Sequence, residues 1–396
     1  MDHTELRRPG SGANQQGLRD HNARLILSLI QRQGALPGSE LARLAGLSPQ
    51  TVSVILRELE LDGFLLRGDP QRGRVGKPSV PMALAPDGAH ALGLKIGRRS
   101  ADLVLCDFLG RVEGQIQTTY RLPVPSEVFG FLRDGITRLT RDLTPAQIDR
   151  IAGIGIAKPH EIWNWHEAVG APPGALDAWQ SIDFITEIAR FSPLPVFLEN
   201  DATAACRAEH VYGRGRAFRD FAYFFVGSFI GGGIVLNHSV MEGATGNAGA
   251  FGSLPARRPD GSPCQLIDAA SLWLLEAALT RAGRDPAGLW TQPQDWTGYA
   301  PILDDWLDAT ADSIAAAAIT VCAVVDFEAI IIDGGFPAPV RADLVARIAT
   351  RLATMDRRGL SPFEVFEGEV GGNARAIGAA CAPIFSRYLL NTHASR

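Results

Sequence analysis

Residues 34–78 read GALPGSELARLAGLSPQTVSVILRELELDGFLLRGDPQRGRVGKP, which spells a helix, a short turn, a second helix and a two-stranded wing. Leu41, Leu44 and Leu47 recur at helical spacing and make one apolar stripe. Ser48 is placed to cap the second helix, and Pro49 at its first position loses nothing by lacking an N–H. Val52, Ile55, Leu56 and Leu59 turn inward. Gln50, Thr51, Ser53, Val54 and Arg57 are left on the other side, where a helix entering the major groove carries its reading side chains. Gly63 ends the helix, Phe64-Leu65-Leu66 starts a strand, and 69–77 form a polar turn with Arg72, Arg74 and Lys77. Turn, cap and basic wing in this order predict a winged helix-turn-helix over 19–84. Gln50, Thr51, Ser53, Arg57, Arg72, Arg74 and Lys77 are its candidate contacts to double-stranded DNA. The competing reading is a small three-helix packing unit that touches no nucleic acid.

Working outward, 22–32 (NARLILSLIQR) is amphipathic, with Leu25, Ile26, Leu29 and Ile30 inward, and is the expected first helix of the same unit. Residues 1–18 read as a mobile arm. Its Arg7 and Arg8 suit a minor groove, or a tail without a role.

The 396 residues allow two or three domains with real apolar cores. A formal charge of -5 excludes general salt-driven binding of nucleic acid over the whole surface. The charge is unevenly divided: residues 1–90 hold 11 Lys+Arg against 9 Asp+Glu, and the remainder 27 against 34. Localised DNA contact by a weakly basic reader on an acidic body fits that division. The five cysteines, at 106, 206, 264, 322 and 381, lack a paired framework and fit a reducing compartment. Neither a secretory leader nor a membrane span is expected, because the longest apolar stretch, 313–325, is Ala-rich and short. A cytoplasmic protein with no membrane partner follows.

Residues 81–90 read as a join. ALGLKIG (91–97) and RSADLVLCDFLGRVEGQIQTTY (99–120) contain three strands, and 127–143 a helix. Further strands are expected at 151–156, 194–198, 221–226, 232–237 and 329–332. Helices are expected at 183–190, 202–211, 271–282, 301–324, 340–355 and 374–386. Strands alternating with helices over three hundred residues predict an α/β body of two lobes around a cleft.

Several segments together resemble one family. They are Gly73-Arg74-Val75-Gly76-Lys77-Pro78 after the helix-turn-helix, the triplet Glu199-Asn200-Asp201, the Gly-rich run 226–235, Ile332-Asp333-Gly334-Gly335 and Ala376-Ile377-Gly378-Ala379-Ala380. Their order and spacing are similar to those of ROK proteins, which join sugar-responsive transcriptional repressors to bacterial sugar kinases. The resemblance runs from about Asn14 to the last helix. It implies an α/β fold in which a winged helix-turn-helix precedes a two-lobed actin-like (ribonuclease H-like) body. Lobe 1 would cover 85–200 and lobe 2 201–396, with the last helix returning toward lobe 1.

In the family's kinases the Asp of the triplet is the general base for a sugar hydroxyl, and the Asn before it contacts the sugar. The resemblance makes Asp201 a vestigial catalytic candidate and gives Asn200 and Asp201 a ligand-binding role. Both residue types are also preferred helix caps, so the cap alone is a sufficient reason for them. Elsewhere the chain departs from the family. Lys95 stands where an acidic residue organising magnesium is expected, Arg98 and Arg99 fill the first phosphate loop, and Phe229 crowds the second. Ala250 and Ser253 replace a sugar-binding Glu and a zinc-binding His. Cys264 alone stands for a cluster of three cysteines, so neither a metal nor another cofactor is expected. Asp268 is the nearest counterpart of a further ligand-binding Glu. In 157–166 (AKPHEIWNWH), Trp163 and Trp165 suit an aromatic wall facing a ligand, or equally a surface loop packing on the second lobe or a partner subunit.

The leading expectation is a DNA-binding regulator, most simply a repressor, acting as a homodimer or homotetramer. Its body senses a sugar or sugar derivative and is not expected to act as an enzyme. An ATP-dependent sugar kinase with an attached reader, and a non-catalytic interaction protein, are the alternatives.

Overall fold

The computed structural model describes residues 15–70, 79–160, 162–165, 172, 174–258, 260–291 and 294–390. The chain forms two units. Among the described residues, one takes in the chain up to Gly88 together with residues 388–390, and the other spans Ala89–Arg387.

In the first unit, helix α1 (Gln15–Gln33) buries Ile26, Leu27 and Ile30. Strand β1 (Leu36–Pro37) leads into α2 (Gly38–Ala45), which Gly46 closes in the left-handed region at φ 65. Ser48 caps α3 (Pro49–Leu61) by accepting from the Thr51 N–H at 3.1 Å, and Val52, Ile55, Leu56 and Leu59 are buried as expected. Strands β2 (Leu65–Arg67) and β3 (Pro81–Leu84) complete a three-stranded sheet in the order β1-β3-β2. Residues 81–84 therefore belong to the wing and not to a join. The unit is finished from the far end of the chain. Leu389 is buried, the Tyr388 ring lies 5.2 Å from that of Phe64, Arg24 Nε donates to the Leu389 carbonyl at 3.0 Å, and the Leu390 N–H donates to Ser28 Oγ at 2.9 Å.

The body begins with β4 (His90–Ile96), β5 (Ser100–Asp107) and β6 (Val112–Thr119), an antiparallel meander, followed by α4 (Pro125–Leu139). Strands β7 (Ile151–Lys158) and β8 (Val196–Asn200) add in parallel, giving the order β6-β5-β4-β7-β8. Helix α5 (Asp201–Tyr212) crosses to the second lobe, where β9 (Phe221–Val226), β10 (Ile230–Leu236) and β11 (Ser239–Val240) form another antiparallel meander. A small hairpin of β12 (Pro255–Arg257) and β13 (Pro263–Gln265) precedes α6 (Leu272–Arg281) and α7 (Ile302–Val324). Strand β14 (Ala329–Gly334), α8 (Ala338–Thr354) and β15 (Glu364–Glu367) follow. The second sheet is ordered β11-β10-β9-β14-β15. The two lobes thus repeat one topology: a meander on one side of the first strand, two parallel strands on the other.

By length and composition α7 is apolar enough to cross a membrane, and the apolar stretch 313–325 is only part of it. Here Trp306, Leu307, Ala311, Ile314 and Ala318 of α7 are buried in the second-lobe core instead. Helix α9 (Ala374–Tyr388) ends the fold and packs on the first-lobe sheet. Its backbone comes so close to Gly93 of β4 and Gly155 of β7 that a Cβ at either position would strike a carbonyl of the helix.

Candidate functional site

The outer face of α3 is open to solvent. Gln50, Thr51, Ser53, Val54 and Arg57 are exposed, opposite the buried stripe. The Thr51 hydroxyl lies 2.9 Å from Ser48 Oγ, so the cap shares it, while the Gln50, Ser53 and Arg57 side chains stay exposed beside it. Arg67, at the end of β2, grips Glu60 of α3 through two hydrogen bonds of 2.6 and 2.7 Å, setting the wing sheet against the helix. Nothing in the sequence pattern separated Arg67 from the other basic residues. Arg72, Arg74 and Lys77 lie outside the described residues.

In the body, the strand ends converge on a cavity of about 490 Å³. That size suits a small molecule. Arg98 reaches it from the β4–β5 loop, Pro159 and His160 from beyond β7, and Asn200 and Asp201 from the join of β8 and α5. The β9–β10 turn contributes Ser228 and Phe229, the start of β10 contributes Ile230 to Gly232, and Arg375 enters from α9. Asn200 does cap its helix: Oδ1 accepts from the N–H groups of Ala202 at 3.0 Å and Thr203 at 3.2 Å. Cap and cavity wall are therefore one residue. The Asp201 carboxylate faces Arg375 Nη1 at 3.3 Å, and the Arg375 guanidinium lies 4.8 Å from the centroid of the Phe225 ring. Pattern reading missed Arg375. The available signal was a cation in the first turn of a helix, where the helix dipole disfavours it unless something else retains it.

Behind this rim the first phosphate-loop position is filled from within. Lys95 is buried, and its ammonium donates to Asp102 Oδ2 and Ser100 Oγ, both at 2.8 Å. Burial alone would raise the Asp102 carboxyl, but Lys95 beside it prevails and holds it below its ordinary value. Arg98 and Arg99 both pair with Glu276 of α6. Burial, with the neighbouring Arg99 charge, pulls Arg98 down to about 10. Tyr120 Oη donates to the Gly97 carbonyl at 2.7 Å and pins the same loop. Burial also lowers Lys158, against the opposing pull of Asp201.

Ala250, Ser253 and Phe229 all line the cavity. Cys264 is half-buried on β13, and among the described residues no group of three His, Cys, Asp or Glu is disposed to hold a metal ion. Trp163 packs among the partly buried apolar side chains around the first-lobe core, outside the cavity lining. The side chain of Trp165 lies outside the described part of the molecule. At the second-lobe wall Gln265 and Ile267 face the cavity; Asp268 next to them is half-buried and does not.

The ROK family model matches residues 91–266, and a winged helix-turn-helix DNA-binding model matches residues 19–65. A protein of Sinorhizobium fredii, y4fQ, is 25% identical over 374 residues, covering 93% of this chain and 91% of its own. The xylose repressor of Caldicellulosiruptor bescii is 24% identical over 242 residues, 59% of this chain and 58% of that one. Among solved structures, a ROK family transcriptional regulator homologous to the Escherichia coli MLC protein superposes with a TM-score of 0.64 at 21% identity. It covers 93% of this chain and 96% of its own, which supports the same fold.

Proposed function

Because the chain belongs to the ROK family, in the branch that joins a winged helix-turn-helix to a sugar-kinase-like body, we propose that it represses genes of sugar metabolism and releases or tightens its operator in response to a ligand in the body's cleft. The observation that carries this reading is the Lys95–Asp102 pair. Phosphoryl transfer rests on positioning and on neutralising phosphate charge with magnesium. Here the nearby carboxylate is taken up by a buried ammonium 2.8 Å away, and two arginines occupy the adjoining loop. Asn200 and Asp201 line the same cavity with an amide and a carboxylate, groups of the kind that hold sugar hydroxyls, which supports a sugar-like ligand. The xylose repressor, matched over about three-fifths of its length, supports a sugar-linked role.

In this reading α3 and the wing bind a two-fold operator as a homodimer or homotetramer in the cytoplasm, with half-site centres roughly 34–36 Å apart or a multiple of that. The experiment is a gel shift on the protein's own upstream DNA against competitor, paired with a magnesium-ATP coupled assay over a sugar panel. Sequence-preferring retention without turnover supports the reading. A sugar kinase is the second reading, favoured by Asp201 in the cavity lining, and turnover lost in Asp201→Ala would establish it.

A further inference from the structure

We propose that Val54 selects a thymine: in each operator half-site its side chain meets the C5-methyl group of one T·A pair, so that α3 reads one base by apolar contact. The proposal rests on the reading of the first unit as a DNA-binding module and adds to it a residue that determines sequence preference.

Helical spacing fixes where Val54 lies. The buried residues Val52, Ile55, Leu56 and Leu59 define one side of α3. Gln50, Val54, Arg57 and Leu61, spaced by four, three and four, form a row on the opposite side, and all four are exposed. Val54 is 51% exposed in the middle of that row, between the Gln50 amide and the Arg57 guanidinium, with Ser53 next to it in the chain. A β-branched residue lowers helix propensity, and at this exposure little burial offsets the loss. Leu61, the other exposed apolar side chain of α3, is its last residue and lies about 10 Å farther along the axis at 1.5 Å per residue. A helix in the major groove meets base edges with its N-terminal part, which leaves Val54 as the apolar side chain within reach.

Charge on the same helix favours DNA over a protein surface as the occupant. Both glutamates of α3 are engaged by arginines: Arg19 Nε donates to Glu58 at 3.0 Å, and Arg67 donates to Glu60 at 2.6 and 2.7 Å. Arg57 has no such ion pair among the described residues, so the outer row carries the sign that phosphates attract. The groove floor is made of donors and acceptors, and its one apolar feature is the thymine methyl. Valine set against a cytosine amino group or a guanine oxygen strips its water without replacing the hydrogen bond. Against the methyl it removes apolar surface from water on both partners. The same side chain thus favours T·A and disfavours G·C.

The test uses the full chain and the upstream fragment retained in the gel shift. Each thymine is replaced in turn by deoxyuridine, which removes the methyl and keeps every hydrogen-bonding group. Wild type should lose about fourfold in affinity at one position of each half-site. Val54→Ala should bind the unmodified fragment more weakly and show no further loss at that position, while Leu61→Ala should keep the wild-type dependence. Should Val54→Ala lack a native melting transition, Val54→Thr, which retains one methyl, provides the comparison with an intermediate loss. A wild type indifferent to every methyl overturns the proposal, as does a methyl dependence that persists in Val54→Ala. An altered sedimentation of free Val54→Ala, with methyl dependence intact, overturns it in favour of a contact between copies of the chain. Sequence-preferring retention without methyl dependence overturns only the valine contact, whereas no preference for any upstream sequence overturns the regulator reading and this proposal together.

Discussion

Lys95 and Asp102 face each other across β4 and β5 as register partners, and the ammonium of one lies 2.8 Å from the carboxylate of the other inside the first lobe. Both side chains are nearly withdrawn from solvent. Removing one partner strands a buried charge, so Asp102→Asn should destabilise the body by about 3–5 kcal/mol. Lys95→Met combined with Asp102→Leu should recover most of that loss, because two apolar groups replace two charges. Urea unfolding of the single and double variants measures the coupling.

Arg57 is exposed on the reading face of α3, and its expected role is at a base edge. Arg57→Ala should cost about 1–3 kcal/mol and relax preference at one base pair of the operator. Arg74→Ala should instead weaken every DNA sequence alike and flatten the salt dependence. Binding isotherms at several salt concentrations separate the two effects; matching profiles would contradict this division.

Glu209 lies wholly buried near Asp333, and burial followed by the Asp333 charge raises its carboxyl above the ordinary value. A carboxyl raised by folding keeps its proton in the native state after the unfolded chain has lost it. Its stabilising contribution is therefore complete below about pH 4.5 and is lost as pH rises through the raised native value. The stability of wild type relative to Glu209→Gln should fall as pH rises above about 4.5. A relative stability that rises with pH there, in unfolding curves at matched ionic strength, would show the opposite sign.

Ala250, Ser253 and the single Cys264 stand where the resemblance implies a sugar-binding Glu, a zinc-binding His and a cluster of three cysteines, so no structural zinc is expected. The purified protein should carry less than one equivalent of zinc, and chelator should leave its melting temperature unchanged. Elemental analysis finding one tightly held zinc per chain would contradict this.

Sequence patterns show most clearly where burial has two sides. Strand β9 was expected at 221–226 and spans those residues, because Phe221 to Val226 are buried on both faces and form an unbroken apolar run. Strand β15 went unread: EVFE lies at a sheet edge with Glu364 exposed, and edges impose little pattern. The short Pro-led β3 was taken for a join because its partners, β1 and β2, are also only a few residues long. Asn200 and Asp201, marked by the Glu199-Asn200-Asp201 triplet, line the cavity, and the local pattern of a helix start is legible at the same place. Arg375 was not legible, because its partner Asp201 lies 174 residues away and only the closed fold brings the two together. The Trp163 reading split because an indole suits a core as well as a wall, and the side chain packs with the core. The repeated topology of the lobes has no counterpart in repeated residues; backbone pairing carries it.

The burial of Leu389 beside α1 has a consequence for biosynthesis. Arg24 and Leu389 are separated by 365 positions, yet the guanidinium of one holds the carbonyl of the other. On the ribosome, the helix-turn-helix emerges first and waits through the translation of the entire body for the residues that close its apolar surface. Until they arrive, the nascent reader lacks the packing of Tyr388 on Phe64. Full packing of the helix-turn-helix unit thus waits on residues translated after the body, and a chain stalled partway through synthesis lacks the contacts of Tyr388 and Leu389.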